Sequence, residues 1–428
     1  MRYQINIFAV CLIGVILFFS CNSEAPPVSI EEIIESKPEK ENPPAKYKPF
    51  VPIKLSDVQA EKVSSDNEFS FKIWREVSSM KGENTFFSPL SLNVALGMLY
   101  NGASSETRAE MAEILGLSDY DETENNEYYQ KMMRDLSECD AFTTLDFANS
   151  IWYNKAFSVK QPFIDINKKY FDAYVQGIDF KSREAAVTIN DWCAKKTNDR
   201  IKTIIEDPIS SDMVMILINT LYFKSNWDNG FDPLKTKKAS FTTSDKKSQE
   251  VKMMEQTSLF RYFANAELQC IEKPFGNSAF SMVFILPAID KTLDQLFDHL
   301  NGKEWHNTIE KFKWTNVELK LPSFKIECDM PLKDPLTNVG MNSIFNGGFI
   351  NITDDPCFVS QIKQKTFIEV NENGAEAAAA TFNELVGESG VPLPPIPFIA
   401  NRPFLYLIKE KSTGIILFIG RLDNPISK

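Results

Sequence analysis

The chain has 428 residues, 43% of them hydrophobic, and a formal net charge of −12 with an isoelectric point near 5.0. That length can bury a large core and leaves room for one to three domains. The acidic balance, with no lysine or arginine run interleaved with aromatics, disfavours a nucleic-acid role.

Arg2 precedes an uninterrupted apolar run from Ile7 to Phe19, followed by Ser20 and Cys21. The run is too short to span a bilayer as a helix, which takes about 20 residues, and suits a secretory signal over residues 1–20. A cysteine directly after an apolar run and a small residue resembles a bacterial lipobox, so Cys21 is expected to be a lipidated amino terminus. An ordinary secretory signal, with Cys21 incidental, is the alternative. Diacylglycerol on Cys21 would supply two acyl chains, enough for stable anchoring. The expected location is the bacterial cell envelope, anchored by lipid to the outer membrane or cell surface, or else secreted. From Cys21 to residue 54 the chain is rich in Pro, Glu, Lys and Ser and reads as a disordered tether.

The body, residues 55–428, opens with Val58, Val63, Phe69, Phe71, Ile73, Trp74 and Val77, which take helical spacing toward Ser79. A second helix is predicted from Ser88, with that serine as its cap and Pro89 in the first turn. Met213 to Phe223 and Ala279 to Leu286 are continuous apolar runs, as in strands buried on both faces. Val317 to Leu321 alternates and should keep one wet face. Phe404 to Ile408 and Gly414 to Ile419 fit a second buried sheet. The pattern alone gives a mixed α+β protein with more than one sheet.

Catalytic chemistry is thinly represented. The two histidines, His299 and His306, lie in a polar, helix-like region beside Trp305, and no G-x-S-x-G, P-loop or G-x-G-x-x-G motif occurs. Beyond Cys11 and Cys21, the cysteines are Cys139, Cys193, Cys270, Cys328 and Cys357, an odd, scattered set that argues against a disulfide framework and a zinc site. Neither metal nor cofactor is expected.

The segment Val370-Asn371-Glu372-Asn373-Gly374-Ala375-Glu376-Ala377-Ala378-Ala379-Ala380-Thr381 carries more information. Its alanines favour a helix, yet it follows the strand-like Phe367, Ile368 and Val370 and precedes a proline-rich stretch from Pro392 to Pro397. Between Ala375 and Val391 there is no proline, so the segment can join a sheet without leaving an unfilled ladder position. In that form Ala375, Ala377, Ala379, Thr381, Asn383 and Leu385 share a buryable face.

This motif resembles the reactive-loop hinge of an inhibitory serpin. Phe87 to Leu92, Leu99 to Ala103 with Thr107, Leu145 to Trp152, Ile218 to Trp227, Asn401 to Phe404 and Phe418 to Pro425 resemble other serpin segments in collinear order, from roughly residue 56 onward. The resemblance implies the serpin fold: a large central sheet, further sheets, surrounding helices and an exposed reactive-centre loop at about residues 372–398. It also implies a suicide-substrate inhibitor of serine endopeptidases, with cysteine endopeptidases as a second class, that acts as a monomer and is not an enzyme. The hinge would be Gly374 to Thr381. Register puts the reactive bond between Glu388 and Ser389, and a glutamate-specific protease would be the target. Val386 followed by Gly387 is the alternative and suits an elastase-like enzyme. Ser88, Ser91 and Asn219 match three members of the polar shutter under the sheet, Gln364 replaces the usual histidine, and Trp227 lies below the place where the loop inserts. The alternatives are a non-inhibitory binding protein on the same fold and, with the resemblance set aside, a surface lipoprotein that captures glycan or peptide.

Overall fold

The computed structural model of the chain describes residues 9–18, 50–79, 84–210, 213–297, 300–373 and 394–426, which build two sheets with helices packed on them. The amino-terminal apolar run forms a strand, β1 (Ala9–Phe18). The expected first helix is α1 (Asp57–Ser79), with Asp57 in the first turn, where a negative charge meets the positive end of the helix dipole. After β2 (Thr85–Phe87), α2 (Pro89–Tyr100) starts as anticipated: Ser88 is extended and its hydroxyl oxygen accepts from the Ser91 N–H. Pro89 sits in the first turn, where an N–H is dispensable. Next come α3 (Ser105–Ile114) and α4 (Glu122–Glu138), the latter opened by a capping box between Asp121 and Glu124.

The remaining elements are β3 (Thr143–Asn154), α5 (Gln161–Phe171), β4 (Tyr174–Ile178), α6 (Glu184–Lys196), β5 (Met215–Ser225), β6 (Lys237–Thr242), β7 (Ser248–Ala264), β8 (Leu268–Pro274), β9 (Phe280–Pro287), α7 (Leu293–Phe297), α8 (Gly302–Glu310), β10 (Lys313–Pro322), β11 (Phe324–Pro331), α9 (Lys333–Asn338), β12 (Ile362–Val370), β13 (Ile396–Ile399), β14 (Phe404–Glu410) and β15 (Ile416–Leu422).

Six strands form the first sheet in the order β11-β12-β1-β5-β3-β4, and nine form the second along β13-β10-β7-β8-β9-β14-β15-β2, with β6 on β7. The continuous apolar runs lie where both faces are covered: all of β9 and all but one residue of β5 are buried. On β10, Val317, Leu319 and Leu321 are buried while Glu318 and Lys320 are partly exposed, the predicted alternation. β14 and β15 are buried throughout, and a Cβ on Gly420 would lie 2.1 Å from Tyr406 Cζ, so the ring lies directly over this glycine.

Every residue of α2 is buried, because the helix is wedged between the sheets and touches β1 and β5 of one and β15 of the other. On the opposite face of the first sheet, Ala185, Ala186, Ile189 and Cys193 of α6 join Trp152, Ile216, Ile218, Tyr222 and Phe367 in a smaller apolar cluster.

The amino-terminal region adds two observations. The apolar run expected to serve as an export signal pairs, in the full chain, as a central strand, its backbone N–H and C=O groups completing the ladders of two strands whose inner edges would otherwise be unpaired. The packed body also begins before residue 55: Ile53 is buried, and its N–H donates to Ser412 Oγ at 2.9 Å. Cys21 and most of the tether lie outside the described residues. Among the described residues no helix is long and apolar enough to cross a membrane.

Candidate functional site

β1 runs antiparallel to both neighbours, from Ala9 opposite Val370 to Leu17 opposite Ile362 on β12, and from Val10 opposite Lys224 to Phe18 opposite Ile216 on β5. Val15 is thereby flanked by Gln364 on one side and Asn219 on the other. Both of these side chains turn toward the start of α2.

There the four expected shutter residues come together. The Ser88 N–H donates to Gln364 Oε1 at 2.8 Å, and Gln364 Nε2 donates to the Ser88 carbonyl at 2.9 Å. Ser88 Oγ accepts from the Ser91 N–H and donates to the Leu417 carbonyl of β15 at 2.6 Å, so the helix-capping bond and the bond to the second sheet coexist. Ser91 Oγ donates to Asn219 Oδ1. Asn219 Nδ2 in turn donates to Asn149 Oδ1 at 2.5 Å, and Asn149 Nδ2 donates to the Phe171 carbonyl at 2.6 Å. All five side chains are buried. The chain of bonds crosses from β12 through α2 to β5, β3 and the end of α5. Gln364 offers both the acceptor and the donor that the Ser88 backbone needs. None of the five side chains titrates.

Asn149 escaped the sequence reading, although it lies within the segment from Leu145 to Trp152. Its role comes from cross-strand register, which sets it opposite Asn219.

At the upper end of β5 the chain continues to Trp227, which is buried and stacked on Phe275 with ring centroids 4.4 Å apart. Trp227 Nε1 donates to the Asn371 carbonyl at 3.0 Å, and the Phe231 N–H donates to the Glu372 carbonyl at 3.1 Å. These bonds hold the residues just past β12, which we term the loop root. The expected hinge, Gly374 to Thr381, and both candidate reactive bonds, Glu388–Ser389 and Val386–Gly387, lie outside the described residues. Beyond them the chain resumes at β13, which pairs parallel with β10 of the second sheet.

The other candidate chemistry does not assemble. His306 is exposed on α8, 3.4 Å from Glu310, and His299 lies outside the described residues. Cys139, Cys193, Cys270 and Cys357 are buried, Cys328 partly so. Burial pushes the Cys139 and Cys193 thiols up to about 12, far from reactive thiolates. Among the described residues no group of His, Cys, Asp and Glu could hold a metal ion.

Residues 64–425 match the family model described as serpin (serine protease inhibitor). Human serpin B4 is 31% identical over 386 residues, spanning 84% of this chain and 98% of its own length. An uncharacterised serpin-like protein of Thermococcus kodakarensis is 32% identical over 368 residues, 85% of each chain. Antithrombin-III of Ovis aries is 31% identical over 84% of this chain and 81% of its own. Among solved structures, the thermophilic serpin tengpin in its native state superposes with a TM-score of 0.76 at 27% identity, covering 89% of this chain and 97% of that one. Arabidopsis AtSerpin1 in its native stressed conformation gives 0.78 at 27% identity, with 87% and 100% covered.

Proposed function

The chain belongs to the serpin family, and from that premise we propose that it traps serine endopeptidases as a suicide substrate, with cysteine endopeptidases as a second class. By family it is a protease inhibitor and not an enzyme. The observation that supports the mechanism is the strand position between β12 and β5, which accepts a strand antiparallel to both. A segment that follows β12 and turns back beside it arrives in that orientation. The loop root at Asn371 and Glu372 adjoins this position.

In this reading the protease nucleophile attacks the Glu388 carbonyl, the bond to the Ser389 nitrogen breaks, and that nitrogen leaves with a proton while an acyl link joins Glu388 to the enzyme. The freed hinge then inserts. About 14 residues at about 3.3 Å each carry the protease about 45 Å along the sheet, and distortion of its oxyanion hole or triad halts deacylation. Ala375, Ala377 and Ala379 suit the task because they bring no charge to desolvate. Cleavage between Val386 and Gly387 is the alternative register and would redirect the inhibitor to elastase-like enzymes.

Insertion requires a vacant position. In this reading residues 1–20 are removed at a lipidated Cys21, which takes β1 out of the sheet and leaves the body anchored to the bacterial envelope by lipid alone. The test is to incubate the processed chain with glutamate-specific, elastase-like and cysteine proteases, run denaturing gels and weigh the released carboxy-terminal peptide. A denaturation-resistant complex with a peptide beginning at Ser389 is expected. Clean cleavage without a complex in every case would overturn the proposal in favour of a non-inhibitory serpin.

A further inference from the structure

Lys273 of β8 is fully buried beneath the loop root. Its Nζ donates to the Asn229 carbonyl and to Gln256 Oε1, both at 2.6 Å, and lies over the rings of Phe231 at 4.5 Å, Trp227 at 5.2 Å and Phe260 at 5.6 Å. Gln256 Nε2 donates to the Gly230 carbonyl at 3.1 Å and so ties the same turn from β7. Residues 227–231 that close over the ammonium are the ones that hold Asn371 and Glu372 through Trp227 Nε1 and the Phe231 N–H.

Among the described residues no carboxylate lies within ion-pair reach of Lys273. Asp228, from the turn after β5, is the charge that acts on it, at longer range. On β8 itself, Glu272 is committed elsewhere, to Lys409 at 2.8 Å, Arg261 at 2.9 Å and Ser281 at 2.6 Å. On β7, Glu255 faces Lys320 at 3.6 Å. Glu372 of the loop root contributes its carbonyl to Phe231. Carbonyl dipoles and ring faces compensate a buried ammonium only partly.

We propose that Lys273 is a positioning residue that keeps the loop root poised to open: its incompletely compensated charge favours the state in which residues 227–231 lift and water reaches the ammonium. Burial pulls its pKa down to about 8 from the ordinary 10.5, with Asp228 opposing the shift, and this fixes the sign. Below pH 8 the closed root carries the full burden of the charge. Between pH 8 and 10.5 the closed form sheds the proton that the open form keeps, so the root closes more tightly as pH rises. Burial pushes the Asp228 carboxyl up while Lys273 opposes, so Asp228→Asn is the variant that separates its contribution from that of the lysine.

Hydrogen exchange at the Phe231 amide tests this in the full chain, with rates corrected for base catalysis. Its protection should rise between pH 8 and 10.5 by up to about 300-fold, the tenfold per pKa unit of complete solvation on opening. Lys273→Met should show raised protection already at pH 7 and no pH dependence in this window, whereas Asp228→Asn should keep the dependence. Flat protection in the unsubstituted chain, or the same rise in Lys273→Met, overturns the proposal. If Lys273→Met does not fold, the profiles of the unsubstituted and Asp228→Asn chains still decide. The inference deepens the inhibitory reading, yet this readout involves no protease, so either can fail while the other stands.

Discussion

Gln364→Glu replaces one amide nitrogen by oxygen and leaves the shape of the shutter unchanged, which makes it a sharp probe of that site. The side chain is fully buried and accepts from the Ser88 N–H while donating to the Ser88 carbonyl. A protonated glutamic acid repeats both bonds, but a carboxylate keeps the first and turns a negative oxygen toward the Ser88 carbonyl. The variant should therefore hold its proton well above the usual range of about 4.3. A rise of about 3 units, within the span of buried carboxyls, corresponds to about 4 kcal/mol at 1.36 kcal/mol per unit. Because the folded pKa is raised, the variant matches its parent below about pH 4, loses stability progressively up to about pH 7, and stays lower above that. Urea unfolding of both chains from pH 4.5 to 8.5, followed by intrinsic fluorescence, gives the difference directly. A variant-minus-parent difference constant within about 0.5 kcal/mol over that range would refute the arrangement described for Gln364 and Ser88.

Asn219→Ala should destabilise by about 2–4 kcal/mol, since Ser91 Oγ and Asn149 Oδ1 both lose a buried partner; an unchanged urea midpoint would count against the shutter. Trp227→Phe should keep much of the stacking on Phe275 but lose the bond to Asn371, speeding nonspecific proteolysis of residues 374–393 several-fold relative to the parent. Gly420→Ala should cost about 1–3 kcal/mol in the same assay, because the Tyr406 ring must shift. Ala375→Arg should leave loop cleavage intact while abolishing the covalent complex, as an unpaired guanidinium opposes insertion; an equally abundant complex on denaturing gels would show that hinge insertion is not the trapping step.

Where local signals sufficed, the sequence was legible. The Ser88–Pro89 start of α2, the buried runs of β5 and β9 and the half-wet β10 followed from caps and periodicity. Ser88, Ser91, Asn219 and Gln364 were identified by resemblance and do meet, although Gln364 reaches Asn219 only through Ser88 and Ser91. Asn149 and Lys273 were missed for a shared reason: each takes its role from partners brought in by tertiary structure, Asn219 in one case and the aromatic turn at residues 227–231 in the other. A lysine beside a proline otherwise reads as exposed. β1 was missed because nothing in an apolar run reveals a gap between two strands that lie some 200 and 350 residues further along.

That separation makes the filling of the sheet a matter of timing. β1 leaves the ribosome first, but β12 is complete only once Val370 has been made. At about 5–20 residues per second, the interval is about 20–70 seconds. During it the apolar segment has no ladder to join and, on the proposed reading of residues 1–20, would be available to an export machinery. Under the proposed processing at Cys21, a nascent chain captured in that interval would lose the segment before the sheet exists. One that folds first would withdraw the segment from capture and close its own gap. A pulse-chase with export blocked and then released should therefore yield a fraction that can no longer be processed, growing with the length of the block.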